Sequence, residues 1–168
     1  ATDYVYGIEK DYRLVKVGKV GCYLHGDGLA NVILSDGLAN FCNKEYKRKL
    51  RKQTNDGQKD NQQFDIILSN PPYSVSSFRQ TTRDYYTEQD FELYNSLTDN
   101  SSEIECLFVE RTKQLLKDGG IAGVILPDSI LSNYGIYTKA REIILQYFDI
   151  VSIAKLGGNT FMATDTPT

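Results

Sequence analysis

Asn70-Pro71-Pro72-Tyr73 is the stretch of this sequence best suited to chemistry. An exocyclic amine on a nucleobase is a poor nucleophile, because its lone pair is delocalised into the ring. Two acceptors aimed at its two N–H bonds would favour a pyramidal nitrogen and expose that lone pair. Preorganised polar groups of this kind act where charge develops in a transition state. The amide oxygen of Asn70 and the backbone carbonyl of Pro71 supply two such acceptors. Each proline fixes its own φ and removes a backbone donor that would compete in the site. Pro71 also biases Asn70 towards an extended conformation. Tyr73 offers a flat face for stacking a base, worth about 1–3 kcal/mol in single-strand contexts. A base in a duplex would first have to be flipped out, at a cost of roughly a few kcal/mol. The plain alternative is a proline turn that ends a strand and carries a surface tyrosine.

The elements around this turn decide between the two. Tyr4-Val5-Tyr6-Gly7-Ile8 is short, aromatic and β-branched, and predicts a strand ending at Glu9. Residues 11–24 carry a helical apolar stripe, weakened by Gly18 and Gly21 at about 1 kcal/mol each. His25-Gly26-Asp27-Gly28 is a turn, and Asn31-Val32-Ile33-Leu34-Ser35 a second strand. Phe64-Asp65-Ile66-Ile67-Leu68-Ser69 is a third, stopped by Asn70. Residues 74–102 show no clean period, and a stretch of that length inside a compact domain is usually functional or mobile. Ser102 with Glu105 reads as a capping box opening a helix, and Gly119-Gly120 as its C-terminal stop. Residues 121–126 predict a strand, 136–148 a helix, and 150–154 a last strand.

Strand and helix in alternation imply an α/β fold with a mainly parallel sheet. Ligands of such sheets sit beyond the carboxyl ends of the strands. That rule singles out Glu9, Asp36, Asn70 to Tyr73, and Pro127-Asp128.

The 168 residues suffice for one domain with one core. Hydrophobic residues at 40% and charged residues at 24% exclude wholesale disorder. Nineteen Lys and Arg against 22 Asp and Glu give a net charge of -3, which excludes a wholly basic nucleic-acid wrapper. An enzyme with a local basic patch remains, and Lys44, Lys47, Arg48, Lys49, Arg51 and Lys52 form one. That run either contacts phosphates or is a solvated helix face. Cys22, Cys42 and Cys106 form neither a disulfide framework nor a zinc motif, so no metal site is expected and a reducing compartment fits. No leader or membrane-spanning run is visible. His25 reads as a turn residue. Lys155, Asp128 and Ser129 suggest no role.

The block from Phe64 to Tyr73 resembles motif IV of S-adenosylmethionine-dependent amino-methyltransferases. Gly7-Ile8-Glu9-Lys10-Asp11 with Leu24-His25-Gly26 resembles the second segment of N6-adenine DNA methyltransferases. Ser35-Asp36-Gly37-Leu38 matches their third segment. Leu115 to Gly120 and Gly123 to Pro127 match the helix and fifth strand of that group. Leu156 to Phe161, followed by Thr164 to Thr168, resembles motif VIII. The nearest likeness is to modification subunits of type I restriction systems and to related single-chain restriction–modification enzymes.

This resemblance implies a Rossmann-like methyltransferase fold with S-adenosylmethionine as cofactor. Asn70, Pro71, Pro72 and Tyr73 are then catalytic. Glu9 would take the ribose hydroxyls, Asp36 the adenine amine, with Leu38 beside them. Tyr73 and Phe161 would hold the flipped base. The implied partners are double-stranded DNA and specificity and restriction subunits or domains, in a prokaryotic cytoplasm, with no membrane. Residues 74–102 would face the target. The family's glycine-rich first segment is not found, nor are its last strands. The chain is therefore expected to be a partial catalytic domain over 1–168, inactive alone, with a gap where the first strand belongs. Two other readings stand beside this one. One is a non-catalytic α/β module for assembly or partner binding. The other is an amino-methyltransferase acting on protein glutamine or RNA guanine, which shares the Asn-Pro-Pro-Tyr turn.

Overall fold

The computed structural model describes residues 4–28, 31–39, 62–82, 90–157 and 160. The chain divides into two compact units, Ala1–Gln58 and Lys59–Thr168.

In the first unit, β1 (Tyr6–Glu9) lies parallel to β2 (Asn31–Leu34), with Ile8 opposite Ile33 and Glu9 opposite Leu34. The crossover is α1 (Tyr12–Leu24). Asp11 caps it, its carboxylate accepting from the N–H groups of Arg13 and Leu14 at 2.7 and 3.3 Å. The helix closes where His25 N–H bonds the Gly21 carbonyl and Gly26 takes a φ of 86°. Val15 and Ile33 are the buried contacts between helix and sheet, while Leu14, Val17 and Leu24 stay exposed.

The second unit runs β3 (Phe64–Ser69), α2 (Phe78–Thr82), a 3-10 turn (Glu92–Ser96), α3 (Ile104–Leu115), β4 (Leu116–Val124), α4 (Ser129–Ser132) and α5 (Ile136–Tyr147). β3 and β4 are parallel, in the register Ile66 to Ile121 through Ser69 to Val124. The unit packs around α3, of which Ile104, Cys106, Leu107, Val109 and Leu115 are buried. Ile136, Tyr137, Ala140 and Ile143 of α5 are buried too, and Phe78, Phe91 and Leu97 complete the core. Each large apolar side chain buried here contributes about 1.5–3 kcal/mol. One face of the sheet is open among the described residues, with Ile66, Leu68 and Ile121 exposed.

The fold is the expected α/β class, and β1, α1, β2, β3 and α5 fall where the sequence places them. Four expectations are corrected. Gly119-Gly120 does not end α3, which stops at Leu115. The chain enters the sheet at once, because Gln63 N–H bonds the Leu115 carbonyl and Lys117 Nζ pairs with both oxygens of Asp65 at 2.8 and 2.9 Å. The glycines instead form an irregularity within β4, with Gly119 at a φ of 75°. Ser102 is not the cap of α3: that position is Glu103, without a side-chain cap bond. Residues 150–154 are irregular rather than a strand, with Val151 93% exposed, and pair with no strand among the described residues. Finally, 74–102 is not structureless: it holds α2 and the 3-10 turn, and Phe78 is core.

The close approach at Gly120 is testable. A Cβ there would meet the Asp65 carbonyl oxygen at 3.0 Å and Leu116 Cδ1 at 2.9 Å, and the backbone oxygen cannot yield without moving β3. Gly120→Val is expected to destabilise the protein by about 1–3 kcal/mol. The readout is a lower urea midpoint at unchanged slope; an unaltered midpoint would contradict this packing.

Candidate functional site

In the first unit the two acids sit at the carboxyl ends of adjacent parallel strands. Ser35 N–H donates to the Glu9 carbonyl at 3.1 Å, so β1 and β2 remain joined up to the point where the acids leave the sheet. Glu9 Oε1 accepts from Asp11 N–H at 2.7 Å, which ties it to the start of α1. Its other oxygen takes no hydrogen bond among the described residues. Asp36 is held from two sides: Oδ1 accepts from Leu38 N–H at 2.9 Å, and Oδ2 pairs with Lys10 Nζ at 2.8 Å. Leu38 itself is fully buried, so it holds the turn by packing. Glu9 and Asp36 thus form a pair of held acceptors, suited to the hydroxyl and amine donors of a nucleoside.

In the second unit, β3 delivers Asn70. The ladder runs one bond past the strands, from Ile125 N–H to the Ser69 carbonyl at 3.0 Å, and then opens. Asn70 is exposed, Pro71 is buried and Tyr73 is half-buried. The Tyr73 hydroxyl donates to Asn70 Oδ1 at 3.0 Å. Burial raises the Tyr73 phenol above its ordinary range, and nearby Glu105 adds to the effect, so the hydroxyl keeps its proton at neutral pH. This contact also orients the amide, since turning it over would bring two donors face to face. Ser74 and Ser77 follow at φ values of 51° and 52°. Such left-handed backbone costs a non-glycine residue roughly 1–2 kcal/mol. A cavity of about 1250 Å³ opens beside the turn, reached by Asn70, Pro127, Asp128 and Lys155. Asp128 and Lys155 pair across it at 2.8 Å.

α3 supports both loops around this turn. Glu105, fully buried, accepts from Ser74 N–H through Oε2 at 3.3 Å and from the Tyr137 hydroxyl through Oε1 at 2.7 Å. Burial pushes the Tyr137 phenol far above its usual range, so it stays a donor. Glu110 accepts from the N–H groups of Glu92 and Leu93 at 2.6 and 3.0 Å. Gln114 donates to the Asp90 carbonyl at 2.7 Å, and the Arg111 guanidinium lies over the Phe91 ring. These residues were not singled out from the sequence as parts of a site. Glu105 carried a local signal of another meaning, the capping box. Phe161, Cys42 and the basic run 44–52 lie outside the described residues.

A family described as Eco57I restriction-modification methylase matches residues 3–161. The chain belongs to that family. Among the relatives of this chain, the EcoEI type I restriction enzyme methylase subunit of Escherichia coli is 25% identical over 94% of the chain and 27% of its own length. The MpnII type I methylase subunit of Mycoplasma pneumoniae is 24% identical over 97% of the chain and 29% of its own. The type II restriction enzyme and methyltransferase RM.Eco57I of Escherichia coli is 26% identical over 76% and 14% respectively. The chain therefore spans under a third of the length of these relatives. The crystal structure of a type I restriction-modification methyltransferase subunit from Streptococcus thermophilus superimposes with a TM-score of 0.54 at 18% identity, over 85% of this chain and 28% of that one. That likeness supports the methyltransferase fold. Among the described residues no helix is long and apolar enough to cross a membrane.

Glu110 carries a pH signature. Burial holds its carboxyl group above the ordinary value of 4.5, outweighing its two backbone hydrogen bonds. A raised folded-state pKa means that its contribution to stability is complete below the unfolded pKa and is lost as pH rises through the folded one. The stability advantage of the wild type over Glu110→Gln is therefore expected to shrink as pH rises above the ordinary carboxyl value of 4.5 in urea unfolding. An advantage that grew with pH would contradict it.

Proposed function

We propose that this chain is the catalytic segment of a site-specific DNA adenine-N6 methyltransferase in a restriction–modification system. The observation that carries the reading is the Asn70 amide, exposed at the carboxyl end of β3 with its oxygen fixed by the Tyr73 hydroxyl. A carbonyl oxygen has two lone pairs, so Oδ1 still accepts one N–H of an amine while Tyr73 uses the other. The Pro71 carbonyl takes the second N–H. The amine nitrogen then carries its lone pair outward; as the new C–N bond forms, the methyl–sulfur bond breaks to leave a neutral thioether, and one amine proton passes to solvent. The half-buried face of Tyr73 stacks the flipped base, with Phe161 assigned to the same task by the family likeness. S-adenosylmethionine, when bound, supplies an electrophilic methyl group on a sulfonium. The paired acceptors Glu9 and Asp36 fit its ribose and adenine, with Leu38 packing beneath their turn.

The relatives' names, methylase subunits of restriction enzymes, support DNA as the substrate and support specificity and restriction subunits or domains as partners, in a prokaryotic cytoplasm. The second unit's 74–102 region, which leaves the turn directly, is assigned to the target side.

The test is methyl transfer by the full-length protein bearing this segment, with the DNA digested to nucleosides and N6-methyladenine measured by mass spectrometry. Asn70→Ala is expected to lower kcat by about 10²–10³, the effect of removing one preorganised polar partner. Methyl appearing on protein or on guanine instead would refute the adenine reading. Separately, Glu9→Ala and Asp36→Ala are each expected to weaken cofactor binding by about tenfold or more, the worth of a charge-assisted hydrogen bond. Unchanged affinity in calorimetry would remove these acids from the cofactor site.

A further inference from the structure

We propose that Glu105 is the positioning residue of the Asn70–Tyr73 turn. The inference rests on the reading of Asn70 as the amine acceptor. Glu105 touches no reacting atom. Its Oε2 takes the N–H of Ser74, the residue directly after Tyr73, and its Oε1 takes the hydroxyl of Tyr137 on α5. Tyr73 in turn holds Asn70 Oδ1. A continuous line of contacts therefore runs from α5 through Glu105 and Ser74 to the acceptor oxygen.

Two features show that the turn needs such an anchor. Ser74 adopts a left-handed backbone that a serine does not prefer, so a partner outside the loop must hold it there. A fully buried carboxyl group is costly unless its oxygens are used. Glu105 is 0% exposed and spends both oxygens on this one task. Without it, Ser74 N–H loses its acceptor, the backbone relaxes, and Tyr73 and Asn70 move with it.

The experiment uses the full-length protein. Glu105→Ala is expected to lower kcat by about 10–100-fold, the effect of displacing a catalytic group by an ångström. KM for DNA and cofactor affinity should stay near wild type. Hydrogen exchange read by mass spectrometry should rise in the peptide containing Ser74, with α3 and β4 still protected. Glu105→Gln should restore most of kcat, because its amide oxygen accepts from Ser74 while its NH2 donates to the Tyr137 oxygen. An alanine variant with wild-type kcat would overturn the proposal. So would one in which kcat, KM and exchange throughout the unit change together, since that is general destabilisation. Where Glu105→Ala does not fold, Tyr137→Phe decides: lower kcat at unchanged KM supports the proposal, and unchanged kcat overturns it. Should the wild type transfer no methyl to DNA, the functional reading fails, and exchange at Ser74 alone still decides whether Glu105 anchors the turn.

Discussion

A loop that packs on a protein core brings backbone N–H groups away from water, and each must find an acceptor. α3 meets this demand for the second unit. An apolar helix in its place would strand the buried Leu93 N–H and leave the part-buried N–H groups of Ser74 and Glu92 to water alone. Glu105 and Glu110 accept from all three, and Gln114 and Arg111 fasten Asp90 and Phe91 beside them. Removing an acceptor from a buried donor costs about 1–3 kcal/mol, more than a typical bond contributes net. The buried polar side of α3 is thus the condition under which an irregular chain lies on a packed core.

The two units solve the same geometric problem alike. Each is a parallel pair of strands with its connection running back through a helix, so both carboxyl ends emerge together. Each pair ends on the same bond, from the residue after the later strand to the last carbonyl of the earlier one: Ser35 to Glu9, and Ile125 to Ser69. Just beyond that bond the backbone stops pairing, and polar side chains project. In the first unit these are Glu9 and Asp36; in the second they are Asn70 and, after β4, Asp128.

How much of this was legible in the sequence follows from the range of the forces involved. β3 was legible because Ile66, Ile67 and Leu68 stand between a polar start and a proline stop. The Asn70–Tyr73 turn was legible as a strand stop because two successive prolines cannot continue a ladder of hydrogen bonds. Gly119-Gly120 misled because glycine serves both a helix stop and a strand irregularity. The choice fell to the pairing of β4 with β3, whose partners, such as Ile66 and Ile121, are distant in sequence. Ser102 and Glu105 matched a local cap, yet the carboxyl group of Glu105 is taken by Tyr137 and Ser74, 32 and 31 positions away. Residues 150–154 have strand composition, but strand structure needs a paired neighbour, and composition cannot supply one.

The pairing of β3 with β4 also orders events during synthesis. Ser69 finds its partner only at Val124, so the last bond beneath Asn70 waits until the ribosome has released more than fifty further residues. Parallel pairing across such a span forms late, because chain entropy is lost before contacts compensate for it. Until then the 70–73 segment is an ordinary proline-stiffened stretch of nascent chain. The strand support beneath Asn70 is therefore a late gain of folding, whereas the Tyr73 contact that orients its amide spans only three residues.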